Sequence, residues 1–161
     1  MLILGIDPGL ERIGYGLVNK DGSKLKEIEH GLITTPQITL SVRLTLVHEQ
    51  VSELVQRTKP DAIATERLLF SVNRKTAMDV AKSLGVILLA IGQSEAVWAE
   101  YSPQEVKQSV VGNGAADKKQ VQFMVTRLLS LEKTPKPDDV ADALALAICH
   151  ALRSNIIFKL P

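Results

Sequence analysis

The chain has 161 residues and a mass of 17.6 kDa, which suits one domain with a substantial core and is too short for two nucleotide-binding lobes. Hydrophobic residues make up 45% and charged residues 23%, with a net charge of +1, so the chain is neither disordered nor collagenous and carries no global field toward nucleic acid or membrane. One cysteine, Cys149, excludes an internal disulfide framework and a multi-cysteine zinc site and suits a reducing compartment.

In chain order, the run Leu2 to Ile6 reads as a strand stopped by the turn sequence Asp7-Pro8-Gly9. A second run, Ile13 to Val18, leads to Asp21-Gly22, a hairpin signal before a third run from Leu25 to Thr34. Leu40, Leu44, Val47, Val51, Leu54 and Val55 then recur at helical spacing before Pro60. Asp61 to Glu66 reads as a short buried strand. The helical stretch from about Asn73 to Ser94, apolar on more than one face, is expected to contribute to a contact with a second subunit. A last strand, Ala96 to Tyr101, places Trp98 in the core. Three helices follow, opened by Ser102-Pro103-Gln104-Glu105, by Asp117-Lys118-Lys119-Gln120 and by Pro137-Asp138-Asp139, the last with Val140, Leu144, Ile148 and Leu152 as its apolar face. The expected fold is α/β: a five-stranded mixed sheet, three antiparallel strands and then two parallel, flanked by helices. One domain over residues 1–155 and a short tail over 156–161, whose Ile156, Ile157 and Phe158 cover the core, complete the reading. The start has no basic segment, and the longest apolar run, near Leu84 to Ile91, is far short of the roughly 20 residues that cross a bilayer; the protein reads as cytoplasmic, with no membrane partner.

Four acids carry the chemistry. Asp7 and Glu66 each end a short apolar strand, and ligands of open α/β sheets bind outside such ends. Asp139 and Asp142 lie three apart on a helix and share a face. Each has a plainer reading when taken alone: Asp7 as a turn residue, Asp138 and Asp139 as complements to a helix N-terminus. Together, four converging carboxylates would repel one another unless hard cations neutralised them, most simply magnesium. Two such ions serve in-line hydrolysis of a phosphodiester, one activating water and the other stabilising the leaving oxygen.

The residues Gly5-Ile6-Asp7-Pro8-Gly9, Glu66 with Leu69, Phe70 and Asn73, Gln104 to Gly114, Asp117-Lys118-Lys119, and Asp139-Val140-Ala141-Asp142 keep an order and spacing that resembles the RuvC-type Holliday junction resolvases of bacteria. The resemblance runs from Leu2 to about His150. It implies a ribonuclease-H-like fold, a homodimer, and symmetric metal-dependent nicking of four-way DNA junctions that leaves 5′-phosphate ends. It also implies Asp7, Glu66, Asp139 and Asp142 as catalytic and metal-holding residues, two magnesium ions per subunit with manganese as a substitute, and a branch-migration complex of the RuvA and RuvB type as partner. Some members have histidine at the position of Asp139. The family often has phenylalanine at the position of Leu69, where it meets junction bases; here Phe70 follows it.

Lys118 and Lys119 open a helix where free backbone amides favour an anion, which suits phosphate binding; as charges alone they read equally as solvated lysines. The resemblance assigns Lys107 and Lys118 to phosphate contacts near the metals. Arg67, Arg74 and Lys75 flank the Glu66 segment and are placed along the DNA backbone. His150 is about 12 Å along its helix from Asp142, too far to share a metal, and reads as structural. Gly14 and Gly16 are expected to permit close packing or substrate approach. Two other functions stay open at this point: a nuclease acting on RNA–DNA hybrids by the same metal chemistry, and a junction-binding protein that does not cleave.

Overall fold

The computed structural model describes residues 1–68 and 74–157, without the side chains of 74–76 and 155–157. The chain runs β1 (Leu2–Asp7), β2 (Arg12–Asp21), β3 (Lys24–Thr34), α1 (Leu40–Thr58), β4 (Ala62–Glu66), α2 (Arg74–Gly92), β5 (Val97–Tyr101), α3 (Pro103–Val111), α4 (Lys118–Leu128) and α5 (Asp138–Ile157). The strands form one sheet in the order β3-β2-β1-β4-β5. The first three pair antiparallel, and β4 and β5 join β1 in parallel, which is the mixed sheet read from the sequence.

Side chains alternate across a strand, and that parity decides where each residue of the site goes. In β1, Leu4 and Ile6 enter one core with Val47 and Val51 of α1 and Ile87 and Ile91 of α2. Ile3 enters the other, with Ala62 and Ala64 of β4 and the helices α3, α4 and α5. Gly5 and Asp7 share the parity of Ile3, and Glu66 shares that of Ala62 and Ala64. Both strand-end acids therefore belong to the face that α5 covers.

The β1–β4 register pairs Gly5 with Ala64 and Ile6 with Thr65, so that one further step sets Asp7 beside Glu66. Asp61 pins this register at the other end of the strands. Its carboxylate accepts from the Leu2 N–H at 2.6 Å, and its own N–H donates to the Leu2 carbonyl at 2.8 Å. A slip of one residue would turn both acids to the opposite face.

The sheet admits α5 unusually closely. A Cβ on Gly5 would stand 1.9 Å from the Ala143 carbonyl oxygen, and one on Gly14 would stand 2.0 Å from that of Asp139. Gly14 is the β2 partner of Asp7, so its missing side chain is what lets the first turn of α5 settle beside that acid. Of the two roles expected for Gly14 and Gly16, close packing is the one seen, since a Cβ on Gly16 would strike Leu144.

Two expectations are corrected. Leu152, assigned to the apolar face of the last helix, is 40% exposed, while Ala141, Ala143, Ala145, Ala147 and Ala151 are buried. The helix touches β1, β2, β3, β4, α3 and α4, so small residues face neighbours on nearly every side and a single apolar stripe does not describe it. Trp98, placed in the core, is 43% exposed, its indole N–H donating to Thr65 Oγ1 at 3.0 Å. It lies on β5, an edge strand with a neighbour on one side only among the described residues. No helix among the described residues is long and apolar enough to cross a membrane.

Candidate active site

Three elements deliver the acids: β1 brings Asp7, β4 brings Glu66, and the first two turns of α5 bring Asp139 and Asp142. Both capped helices beside them start where their sequences dictate. Ser102 and Glu105 form a reciprocal capping box at α3, and Asp117 and Gln120 form another at α4. The second box fixes Lys118 as the first residue of α4, and α3 carries Lys107. Glu66, Lys107, Lys118 and Asp142 line one open cleft together with Pro103, Val106, Val121, Ala145 and Leu146.

Electrostatics report how closely the acids are gathered. Burial, and then the charges of Asp142, Glu66 and Asp139, push the Asp7 carboxyl up to about 8; Lys118 opposes them. Glu66 is raised by burial and by Asp142, against Lys118 and Lys107. Asp142 is raised by burial despite its bond to Lys118. For Lys118, burial favours the neutral amine, but bonds to Asp138 and Asp142 outweigh it and hold the ammonium charged.

Besides Lys107, which acts on Glu66, two side-chain cations form ion pairs with the α5 acids. Lys118 Nζ lies 2.6 Å from Asp138 Oδ2 and 2.9 Å from Asp142 Oδ2. Arg12 Nη2 lies 3.3 Å from Asp139 Oδ2, within ion-pair reach, yet that oxygen is buried and accepts no hydrogen bond. With Asp142 turned to the lysine and Asp139 to the arginine, no three His, Cys, Asp or Glu side chains among the described residues close on one point as metal ligands do. The donor set still fits a hard cation. It consists of carboxylate oxygens, one of them buried without a hydrogen bond, around an acid whose ionisation is opposed by burial and then by three neighbouring carboxylates.

Other predicted positions fall apart from this cluster. Lys119 points to a separate depression with Val111, Phe123 and Met124. Arg67 pairs with Glu100, Nε to Oε2 at 3.0 Å. Leu69, Phe70 and the side chains of Arg74 and Lys75 lie outside the described residues, as do those of the apolar tail. His150 is buried, its Nδ1 2.8 Å from the Tyr101 hydroxyl, in keeping with a structural role.

Sequence reasoning passed over Arg12 and treated Asp138 only as a helix-end charge. Arg12 was findable: once β1 and β2 are read as an antiparallel pair, Gly14 opposite Asp7 puts Arg12 two residues away at the same end of the sheet. The Asp138 bond to Lys118 depends on how α4 packs on α5, for which the sequence holds no local signal.

The profile of the family described as crossover junction endodeoxyribonuclease RuvC matches residues 3–150. A relative of that name from Clostridioides difficile (strain 630) is 51% identical over 160 residues, covering 99% of this chain and 94% of the relative. Among solved structures, the RuvC of Thermus thermophilus is 34% identical with a TM-score of 0.90, covering 97% of this chain and 96% of the other. The same protein in complex with a Holliday junction substrate is 32% identical with a TM-score of 0.88 at the same coverage. These likenesses span the sheet, the covering helix and the residues that carry all four acids. They bear out the ribonuclease-H-like fold that the family resemblance implies, and with them the chain belongs to the RuvC family of crossover junction endodeoxyribonucleases.

Proposed function

We propose that this protein is a metal-dependent endodeoxyribonuclease that resolves four-way DNA junctions by symmetric nicks, leaving 5′-phosphate and 3′-hydroxyl ends. The observation that carries the reading is the parallel β1–β4 register, which gathers Asp7 and Glu66 under the α5 turns bearing Asp139 and Asp142. In it, Asp7, Glu66, Asp139 and Asp142 hold two magnesium ions per subunit, with manganese able to replace them. Bound there, such ions supply the positive charge for attack of water on the phosphorus and for departure of the 3′-oxygen.

The chain's own groups do the rest. Asp7, on a central strand clamped on both sides, provides the fixed point of the site. Lys118 and Lys107, on the wall of the same cleft, bind the scissile phosphate. Asp142 shares Lys118 with the pocket, so cation binding at Asp142 frees donors of that lysine for the phosphate. Lys119 and Arg67 lie farther out and serve the flanking DNA backbone.

One chain carries one such cleft, whereas resolution requires two symmetric cuts, so the active form in this reading is a two-fold dimer. Met78 and Leu89 on α2 are each 56% exposed. They are three helical turns apart, on nearly the same side of the helix, and offer an apolar contact for a second copy.

The test is cleavage of a mobile synthetic four-way junction with magnesium, both nicks mapped at nucleotide resolution, beside an RNA–DNA hybrid of matching sequence. Paired symmetric nicks in the junction with the hybrid intact support the reading. Cleavage of the hybrid alone would overturn it.

A further inference from the structure

The Lys118 ammonium is held by two carboxylates of unlike situation. Asp138 and Asp142 are four residues apart, one turn of α5, so their side chains stack on one side of the helix and the ammonium bridges them. Asp142 lines the cleft and acts on Asp7 and Glu66. Asp138 does neither: it is absent from the cleft wall and from the charges that bear on Asp7, its side chain is 48% exposed, and its bond to Lys118 is the shorter of the two. A helix-end charge needs no such bond.

An ammonium has three donors and no acceptor. Tied to Asp142 alone, it would have to lose its only carboxylate partner before that acid could turn to a divalent cation. With Asp138 as a second acceptor, cation entry breaks one bond of two, and the lysine stays at the mouth of the cleft instead of swinging into water. We propose that Asp138 is a positioning residue, which keeps Lys118 beside the scissile phosphate while Asp142 turns to a divalent cation. This rests on the reading of Asp142 as a cation ligand.

The test is calorimetric titration of the full-length protein with manganese alone, without DNA, for wild type, Asp138→Asn, Lys118→Met and the double variant. Junction-cleavage kinetics of Asp138→Asn and Asp138→Glu run beside it. Exposed ion pairs are modest, so Asp138→Asn is expected to weaken manganese binding about two- to fivefold. It is expected to lower kcat by a similar factor with KM unchanged, and Asp138→Glu to restore kcat. In the Lys118→Met background the same substitution should change manganese affinity by much less, because the group it acts through is gone. An equal loss in both backgrounds would mean that Asp138 acts as a general surface charge and would overturn the inference alone, as would an unchanged affinity and kcat in Asp138→Asn. Failure of the wild type to bind manganese at all would overturn the cation-site reading, and the inference with it.

Discussion

Replacing Asp7 with asparagine should stabilise the metal-free protein while abolishing cleavage. The carboxyl is raised from 3.8 to about 8 by burial and by Asp142, Glu66 and Asp139. A carboxyl whose folded pKa lies above its unfolded one binds its proton more tightly in the native state, so it contributes no penalty below the unfolded value. Between the two values the native state holds the extra proton, stability falls as pH rises, and the full penalty is reached above the folded value. At about 1.4 kcal/mol per pKa unit, the displacement amounts to about 6 kcal/mol once the pH exceeds 8. The amide is nearly the same shape, carries no charge and can donate to the neighbouring carboxylates. Urea unfolding of wild type and Asp7→Asn in chelator, near pH 5 and near pH 9, checks this: the variant should be the more stable by several kcal/mol at the higher pH and by much less at the lower. Magnesium should then close the gap by stabilising the wild type, since a bound cation supplies the missing positive charge. A wild type as stable as the variant at high pH in chelator would refute the reasoning, because Asp7 would then not be confined among like charges.

Gly5→Ala should cost about 3 kcal/mol or more, because the new methyl meets the α5 backbone and only a shift of the whole helix relieves it; that shift carries Asp142 away, so metal-dependent cleavage should fall with stability, and an unchanged melting temperature would contradict the packing described. Binding of a four-way junction should weaken linearly in log–log plots against salt. Lys107→Ala and Lys118→Met should each reduce that slope by about one, measured by fluorescence anisotropy, and an unaltered slope would remove that lysine from the phosphate contacts.

Much of the fold is legible because short-range rules act there without competition. Alternation along Leu2 to Asp7 and Ala62 to Glu66 sets which face each acid takes, and Ser102-Pro103 and Asp117 announce their helices through cap chemistry. What pattern cannot supply is the adjacency of β1 and β4, which are parallel strands separated by a hairpin and a helix; family resemblance stood in for it. Trp98 was misplaced because hydrophobicity does not tell an edge strand from a central one. Leu152 was misplaced because helical periodicity assumes one buried face, and α5 has neighbours almost all round. The ionic wiring of the site was the least visible part. The family resemblance singles out Lys118, but its two carboxylate partners follow from the packing of α4 on α5, and Arg12 from the β1–β2 pairing.

The gathering of Asp7, Glu66, Asp139 and Asp142 around divalent ions is tested most directly by anomalous diffraction from crystals of the protein soaked in manganese. The account predicts density within about 2.2 Å of carboxylate oxygens of Asp7, shared with Glu66 or the α5 acids, and with Lys118 withdrawn from Asp142. Manganese bound elsewhere, with Lys118 still on Asp142 and no ion near Asp7, would contradict it.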